Sequence, residues 1–286
     1  MPQTTEELVS LLDLEEIELG LYRGHQPRTR LQRTYGGQVL AQSLMAAYRT
    51  VGDDRLCHSL HAYFLRGGKT DQPIIYDVQT LRDGGSFSSR RILARQGGES
   101  IFAMNANFHV DEPGLDHSDP MPRGVPAPEQ CPSLMQLMQQ RLGVSAKHFA
   151  EWDALDVRFA GDSGDSGMIT PGAHQAHMRV WVRTASALPD DQRLHQAVLA
   201  YLSDITLLSV ATVPHQVAFL SPQMQVASID HAMWFHRTVR ADEWLLYDQV
   251  SPSASKALGF STGRLVQGNS LVASCSQEGM IRVLHE

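Results

Sequence analysis

The chain is short of cysteine and has no excess of basic residues, and these absences exclude several classes of protein. Only 3 of its 286 residues are cysteine (Cys57, Cys131 and Cys275), and none forms a C-x-x-C pair. We therefore expect neither a disulfide framework nor a zinc knuckle. The 24 Lys and Arg residues face 31 Asp and Glu residues, a net charge of −7. A nucleic-acid partner is not expected, because its usual electrostatic attraction is missing.

Signals for export or membrane insertion are also missing. Several acidic residues precede the first basic residue, Arg23, which is nearly the reverse of a signal peptide. No apolar run approaches the roughly 18 residues that span a bilayer. Residues 284–286 differ from a Ser-Lys-Leu peroxisomal address. We therefore expect a cytoplasmic protein without a membrane partner.

Several common catalytic and metal-binding motifs are absent. The sequence contains no G-x-S-x-G elbow, no P-loop and no G-x-G-x-x-G fingerprint. His58 and His61 are predicted on opposite faces of a strand, and His174 and His177 have no third ligand nearby in sequence. Residues 161–167 (GDSGDSG) resemble the serine loop of trypsin-like proteases, but their small residues favour a hairpin loop. We expect neither a metal nor a cofactor.

The two halves of the chain repeat one pattern. Residues 61–64 and 74–78 correspond to residues 231–235 and 245–248, at offsets of 170 or 171 positions. Each half is predicted to contain one long apolar helix, at 37–48 and 192–210, followed by three or four strands. This order predicts an α+β fold in which each long helix is wrapped by a curved antiparallel sheet.

Six prolines between the halves mark a linker. The predicted domains are a first repeat at 1–112, a proline-rich linker at 113–151 with a helix at 133–141, and a second repeat at 152–286.

Asp204 is the most informative single residue, because it shares an otherwise apolar face of the second predicted helix. A buried carboxylate is costly without partners, and burial raises its pKa and makes it a better base. The alternative, a carboxylate satisfied by neighbouring groups with no catalytic role, remains open. The matching helix at 37–48 carries no acid, which indicates one working site per chain.

Two other polar residues are candidates for the same site. Gln277 alternates with Leu271, Ala273 and Cys275 in a predicted strand and so faces the apolar side. Ser228 begins a strand predicted over 227–236. Either residue alone is more often structural, but an acid, a hydroxyl and an amide together can hold and deprotonate one water.

Arg90 and Arg91 form a compact basic spot in an acidic chain. They fit either a solvated strand end or a contact to phosphate, which guanidinium groups bind well. We favour the phosphate contact.

The motifs resemble those of type II acyl-CoA thioesterases, the double hot-dog enzymes of bacteria and peroxisomes. The resemblance covers nearly the whole chain. It rests on residues 35–38 (YGGQ), 58–66 (HSLHAYFLR), 73–82 (PIIYDVQTLR), 86–91 (SFSSRR), 203–204 (SD), 229–236 (IDHAMWFH), 243–247 (EWLLY) and 277–279 (QEG).

The resemblance implies a double hot-dog fold and hydrolysis of medium- to long-chain fatty acyl-CoA to a fatty acid and CoA, without a cofactor. By the same resemblance, Asp204 is the general base and Gln277 helps to fix the attacking water. Ser228 stands where the family has threonine, and it retains the hydroxyl. The family forms homo-oligomers, either dimers or tetramers of double hot-dogs. A hot-dog hydratase or dehydratase and a non-catalytic acyl-CoA sensor are the alternatives.

Overall fold

Antiparallel strands of both halves form one sheet in the computed structural model, which describes residues 1–142, 150–163, 176–215, 219 and 221–284. The strands are β1 Glu15–Glu18, β2 Leu21–Gly24, β3 Arg55–Phe64, β4 Ile74–Asp83, β5 Phe87–Gln96, β6 Glu99–Val110, β7 Leu155–Asp162, β8 His177–Thr184, β9 Met224–Ser228, β10 Asp230–Phe235, β11 Leu245–Ser255, β12 Leu258–Gln267 and β13 Ser270–Val283. The helices are α1 Thr5–Leu12, α2 Gly36–Tyr48, α3 Leu134–Leu142 and α4 Gln192–Ser203. Short 3₁₀ helices cover Pro128–Gln130, Ala150–Trp152 and Leu207–His215.

The sheet joins the two halves edge to edge. Its strand order is β1-β2-β4-β5-β6-β3-β10-β13-β12-β11-β8-β7, with β9 paired to β13. The junction is the antiparallel pair β3–β10, in which Leu60 lies opposite Met233. Strands of the first half therefore lie on one side of this pair, and strands of the second half lie on the other.

Helices α2 and α4 are enclosed by the sheet and by each other. In α2, 11 of 13 residues are buried, and in α4, 10 of 12 are buried. Their small and apolar side chains allow contact on every face. Tyr35 Oη donates to the carbonyl of Tyr201 at 2.8 Å, so the beginning of α2 meets the end of α4. One long helix against an antiparallel sheet in each half confirms the predicted architecture.

The predicted helix at 192–210 is wrong in its second part. Helix α4 ends at Ser203, Asp204 is its C-cap, and the tighter helix Leu207–His215 follows. Ser203 Oγ donates to the carbonyl of Ala200 at 2.8 Å, and the N–H of Ile205 donates to the carbonyl of Leu202 at 3.2 Å. Side-chain competition and i→i+3 bonding of this kind terminate an α-helix.

The predicted strand at 227–236 is two strands, because Ile229 is an extra residue between β9 and β10. Ser228 is paired with Gly279, whereas Ala232 is paired with Ser276, so the register shifts by one residue. Such a bulge reverses which face the following side chains occupy. Ser228 therefore ends a strand, rather than beginning one, and shares the face of Gly279.

Strands β1 and β2 form a hairpin before α2, with Gly20 at φ +82° in the turn. Residues 164–167 of the GDSGDSG segment and His174 lie outside the described residues. Residues Gln192–His215 are long and apolar enough for a candidate membrane span, but 72% of their most apolar window is buried, as in a core helix.

Candidate active site

The structure brings Asp204, Ser228 and Gln277 together in one hydrogen-bonded triangle. Gln277 Nε2 donates to Asp204 Oδ1 at 2.6 Å and to Ser228 Oγ at 2.8 Å. Ser228 Oγ donates to the same Oδ1 at 3.3 Å. Both hydrogens of the Gln277 amide and the hydroxyl hydrogen of Ser228 are therefore directed within the group.

A different local feature of the backbone positions each of the three residues: the end of a helix, a β-bulge and the alternation of side chains along a strand. Asp204 lies just past the end of α4, and the Ile229 bulge turns Ser228 inward. Gln277 is fully buried and shares the inner face of β13 with Ala273 and Cys275, as predicted, whereas Leu271 lies beyond a register shift and packs with Leu246 and Val266 instead. The site is thus made by a helix end, a strand end and a central strand.

The beginning of α2, from the other half of the chain, covers the Asp204 carboxylate. The backbone N–H of Gly37 donates to this carboxylate. A Cβ built on Gly36 would lie 2.6 Å from Asp204 Oδ2, and one on Gly37 would lie 2.5 Å from the carbonyl oxygen of Tyr201. Only glycine permits this approach, and the positive end of the helix stabilises a negative charge there.

The two glycines lie against the candidate site, but reasoning from composition and spacing gave them no place in it. They appeared only within the motif at 35–38, with Gly37 also the first residue of the predicted helix at 37–48. The sequence does carry a signal for them, because each glycine in a helix costs about 1 kcal/mol of stability relative to alanine. Two adjacent glycines at the start of a helix therefore indicate a close contact that a side chain would block.

Burial raises the pKa of Asp204 to about 6, against the lowering effect of hydrogen bonds from Gln277, Ser228 and Gly37. The nearby Tyr35, Tyr247 and Cys275 have pKa values raised by burial, so they stay neutral at physiological pH. At neutral pH the carboxylate is therefore ionised, but it is a stronger base than an exposed aspartate.

Arg90 is not placed to bind phosphate, contrary to the prediction. Its side chain is 2% exposed, and its Nε donates to Thr50 Oγ1 at 2.8 Å. Its two Nη atoms donate to the Asp83 carboxylate at 2.8 and 3.2 Å. All three guanidinium nitrogens are engaged inside the protein, because the side chain points to the inner face of β5.

Arg91 is exposed on the opposite, outer face of β5. Strand β5 is four strand spacings from β13, or about 19 Å across the sheet. The structure therefore brings neither arginine to Asp204.

The first half carries other residues at the positions that correspond to the triangle. Arg90 pairs with Ala106 as Ser261 pairs with Gln277, at a constant offset of 171 positions. By the same offset, Cys57 corresponds to Ser228. Alanine thus replaces the amide, and the guanidinium of Arg90 lies beside it. This agrees with the expectation of one site per chain.

A pocket of about 190 Å³ opens at the far end of the 3₁₀ helix Leu207–His215, which begins three residues after Asp204. Most of its walls are apolar. Its lining residues are Thr212, His215, Met224, Ala254, Ser255, Ala257, Leu258, Ile281 and Val283. Among the described residues, no three His, Cys, Asp or Glu side chains are grouped to hold a metal ion.

Comparison with known proteins gives consistent matches over nearly the whole chain. Residues 25–109 match a family model described as "Acyl-CoA thioesterase N-terminal domain", and residues 151–280 match one described as "Acyl-CoA thioesterase". Acyl-CoA thioesterase 2 of Haemophilus influenzae is 37% identical over 281 residues, which cover 96% of each chain. Human acyl-coenzyme A thioesterase 8 is 35% identical over 289 residues, covering 96% of this chain and 89% of the human protein.

Solved structures support the same relationship. An acyl-CoA thioesterase II from Mycobacterium marinum superposes with a TM-score of 0.82 at 43% identity, covering 96% of this chain and 97% of the other. A protein with a hot-dog fold from Alicyclobacillus acidocaldarius superposes with a TM-score of 0.75 at 18% identity, covering 96% and 97%. The fold is therefore a double hot-dog.

Proposed function

The chain belongs to the acyl-CoA thioesterase family and hydrolyses acyl-CoA thioesters, and from this premise we propose that Asp204, Ser228 and Gln277 are its catalytic residues. The observation that carries the proposal is the hydrogen-bonded triangle itself. It places a carboxylate of raised pKa beside a hydroxyl and an amide, at the positive end of α2.

In the proposed mechanism, Asp204 removes a proton from a water molecule as the water oxygen attacks the acyl carbonyl carbon. Oδ1 already accepts hydrogen bonds from Gln277 and Ser228, so Oδ2, beside Gly36, is the oxygen that takes the proton. Ser228 has donated its hydrogen to Asp204 but can still accept one from the water. The triangle thus orients both the base and the water.

The attack gives a tetrahedral oxyanion, which collapses by breaking the carbon–sulfur bond. The CoA thiolate leaves and receives the proton held by Asp204, so the products are a fatty acid and the CoA thiol. The Gln277 amide hydrogens are both engaged, so we assign the stabilisation of the oxyanion to the positive end of α2.

The preferred acyl chain in this proposal is medium to long. An apolar pocket stands at the end of the 3₁₀ helix that leads away from Asp204, with Leu258 and Ile281 in its wall. Apolar walls favour a hydrocarbon chain because its burial removes apolar surface from water. We assign the distal part of the chain to this pocket.

The remaining features of the proposal concern organisation. Residues 1–112 and 152–286 are taken as the two hot-dog repeats, with 113–151 as the linker. The family-model matches to 25–109 and 151–280 support this division. We further propose a cytoplasmic homo-oligomer, a dimer or tetramer of double hot-dogs.

The test is thiol release from acyl-CoAs of several chain lengths by the native protein and by Asp204→Asn. We expect release by the native protein and a loss of at least about 100-fold in kcat for a folded variant, since general-base catalysis contributes this much. Equal release by both proteins would remove Asp204 from its role. Binding without thiol release would indicate a sensor, and an enoyl or hydroxyacyl product would indicate a hydratase or dehydratase.

A further inference from the structure

Three polar side chains form a row on the inner face of the second half, and the row shares Gln277 with the triangle. They are Gln249 on β11, Ser261 on β12 and Gln277 on β13, and each is fully buried. One atom of each, Gln249 Nε2, Ser261 Oγ and Gln277 Oε1, has no hydrogen-bond partner within the described part of the chain. We call these three residues the inner polar row. Buried polar atoms of this kind require partners, because an unpaired one loses the hydrogen bonds that it makes to water in the unfolded chain.

The strand register places the row side by side. Ser261 lies directly opposite Gln277 in the β12–β13 pair, so their Cβ atoms are about 5 Å apart. Gln249 lies opposite Gly263, which makes it a diagonal neighbour of Ser261 at about 7–8 Å. Both distances are within reach of a glutamine amide or of one bridging water.

Thr206 fixes the far end of the row. Its Oγ1 donates to Gln249 Oε1 at 2.9 Å, which leaves Gln249 Nε2 on the other side of the amide as a free donor. Thr206 is two residues beyond Asp204, so the row is anchored to the same chain turn that carries the acid. The row thus has donors at Gln249 and Ser261 and an acceptor at Gln277 Oε1.

The row is confined to the half that holds the triangle. At the offset of 171 positions, the first half has Val78, Arg90 and Ala106 in place of Gln249, Ser261 and Gln277. A requirement of the fold alone would apply to both halves. The polar residues of the row therefore accompany the candidate site and are not required by the sheet.

We propose that Ser261 and Gln249 are positioning residues that hold the Gln277 amide in its working orientation, through one buried water shared with Gln277 Oε1. The proposal rests on the proposed function. A rotated amide would direct its oxygen at the Asp204 carboxylate and would lose both bonds that Nε2 makes. A donor at Oε1 prevents this rotation, and three polar partners are sufficient for a buried water.

The test compares Ser261→Ala and Gln249→Met with a matched control, Ser43→Ala. Ser43 Oγ in α2 is equally buried and also has no partner among the described residues, but it lies outside the row. We expect Ser261→Ala to lower kcat about tenfold, the equivalent of one hydrogen bond, with KM changed less than about twofold. Gln249→Met should act in the same direction, and Ser43→Ala should leave kcat unchanged.

The pH profile separates positioning from packing. The Gln277 hydrogen bond lowers the pKa of Asp204, so loosening the amide should move the acid limb of kcat/KM to higher pH in both row variants. A purely structural role would not move this limb. Unchanged kcat and pH profile in the row variants, or an equal loss in Ser43→Ala, would overturn the proposal.

Asp204→Asn, assayed in parallel, keeps the two hypotheses distinguishable. Loss of activity in Asp204→Asn with normal Ser261→Ala and Gln249→Met would reject only the positioning role. Full activity in Asp204→Asn would reject the proposed catalytic site itself. If Ser261→Ala does not fold, Gln249→Met decides by the same two readouts.

Discussion

Replacing Gly36 with alanine places one methyl group against the oxygen that is proposed to take the proton. The added Cβ would lie 2.6 Å from Asp204 Oδ2 and 2.9 Å from the ring of Phe64. Ordinary contacts begin at about 3.4 Å, so the carboxylate must move by roughly 0.8 Å. The contact with the ring adds to the crowding around the methyl group, so the carboxylate is displaced from its present position.

A displacement of this size has a large kinetic effect. Misplacing a reacting group by about 1 Å can cost about 100-fold in rate, so we expect kcat of Gly36→Ala to fall by about 10- to 100-fold. Stability should change little, because the gain of up to about 1 kcal/mol from replacing a helical glycine offsets the strain of the contact.

Thiol release and thermal unfolding, measured on the same preparations, provide the assay. Gly37→Ala is the matched control, in which the added methyl group meets the backbone instead of the carboxylate. Its Cβ would lie 2.5 Å from the backbone oxygen of Tyr201, which cannot move aside. That variant should be destabilised by about 1–3 kcal/mol, the cost typical of overpacking. Unchanged kcat in a folded Gly36→Ala enzyme would refute the assignment of Oδ2 as the proton acceptor.

Four further results are expected. The kcat/KM profile should rise with pH through about 6 and then level off, because burial raises the pKa of Asp204 to that value and only the ionised form accepts a proton. A profile still at its maximum at pH 5 would contradict this. Ser228→Ala should lower kcat by about tenfold or more through loss of a hydrogen bond to a charged group, whereas Ser228→Thr should retain most activity. Thiol-release assays with both variants check this, and equal activity of the two would contradict it. Leu258→Trp should shift the preference toward shorter acyl chains by filling the apolar pocket, as measured by kcat/KM across a chain-length series. Arg90→Ala should lower the free energy of unfolding by about 2 kcal/mol or more, in denaturant titrations, with KM for acyl-CoA unchanged. A raised KM at constant stability would restore its assignment as a phosphate contact.

The sequence predicted those features that depend on local pattern. An apolar stretch without helix breakers identified α2, and period-two alternation placed Gln277 on the inner face of its strand. The lone acid among apolar residues identified Asp204 as the candidate base. Each of these inferences uses only residues that are near one another in the sequence.

The features that were missed depend on contacts between distant segments. Besides the local bonds of Ser203 and Ile205, the end of α4 is held where Asp204 meets Gln277 of β13, and the bulge at Ile229 depends on pairing with β13 and β3. The sequence predicts a surface position for Arg90, because no local pattern shows that Asp83 and Thr50 accept hydrogen bonds from its guanidinium. Gly36 and Gly37 acquire their role only when α2 of one half meets Asp204 of the other.

That meeting of the two halves has a consequence for stoichiometry. If two identical single repeats associated about a twofold axis, symmetry would require two equivalent sites, each made of one partner's acid and the other's helix end. A covalent link between the repeats removes this requirement, so one site can be kept while the other position accepts Arg90 and Ala106. The chain therefore has one candidate active site for its two hot-dog repeats. Neither repeat, expressed separately as a monomer, would contain both the acid and the helix end that covers it.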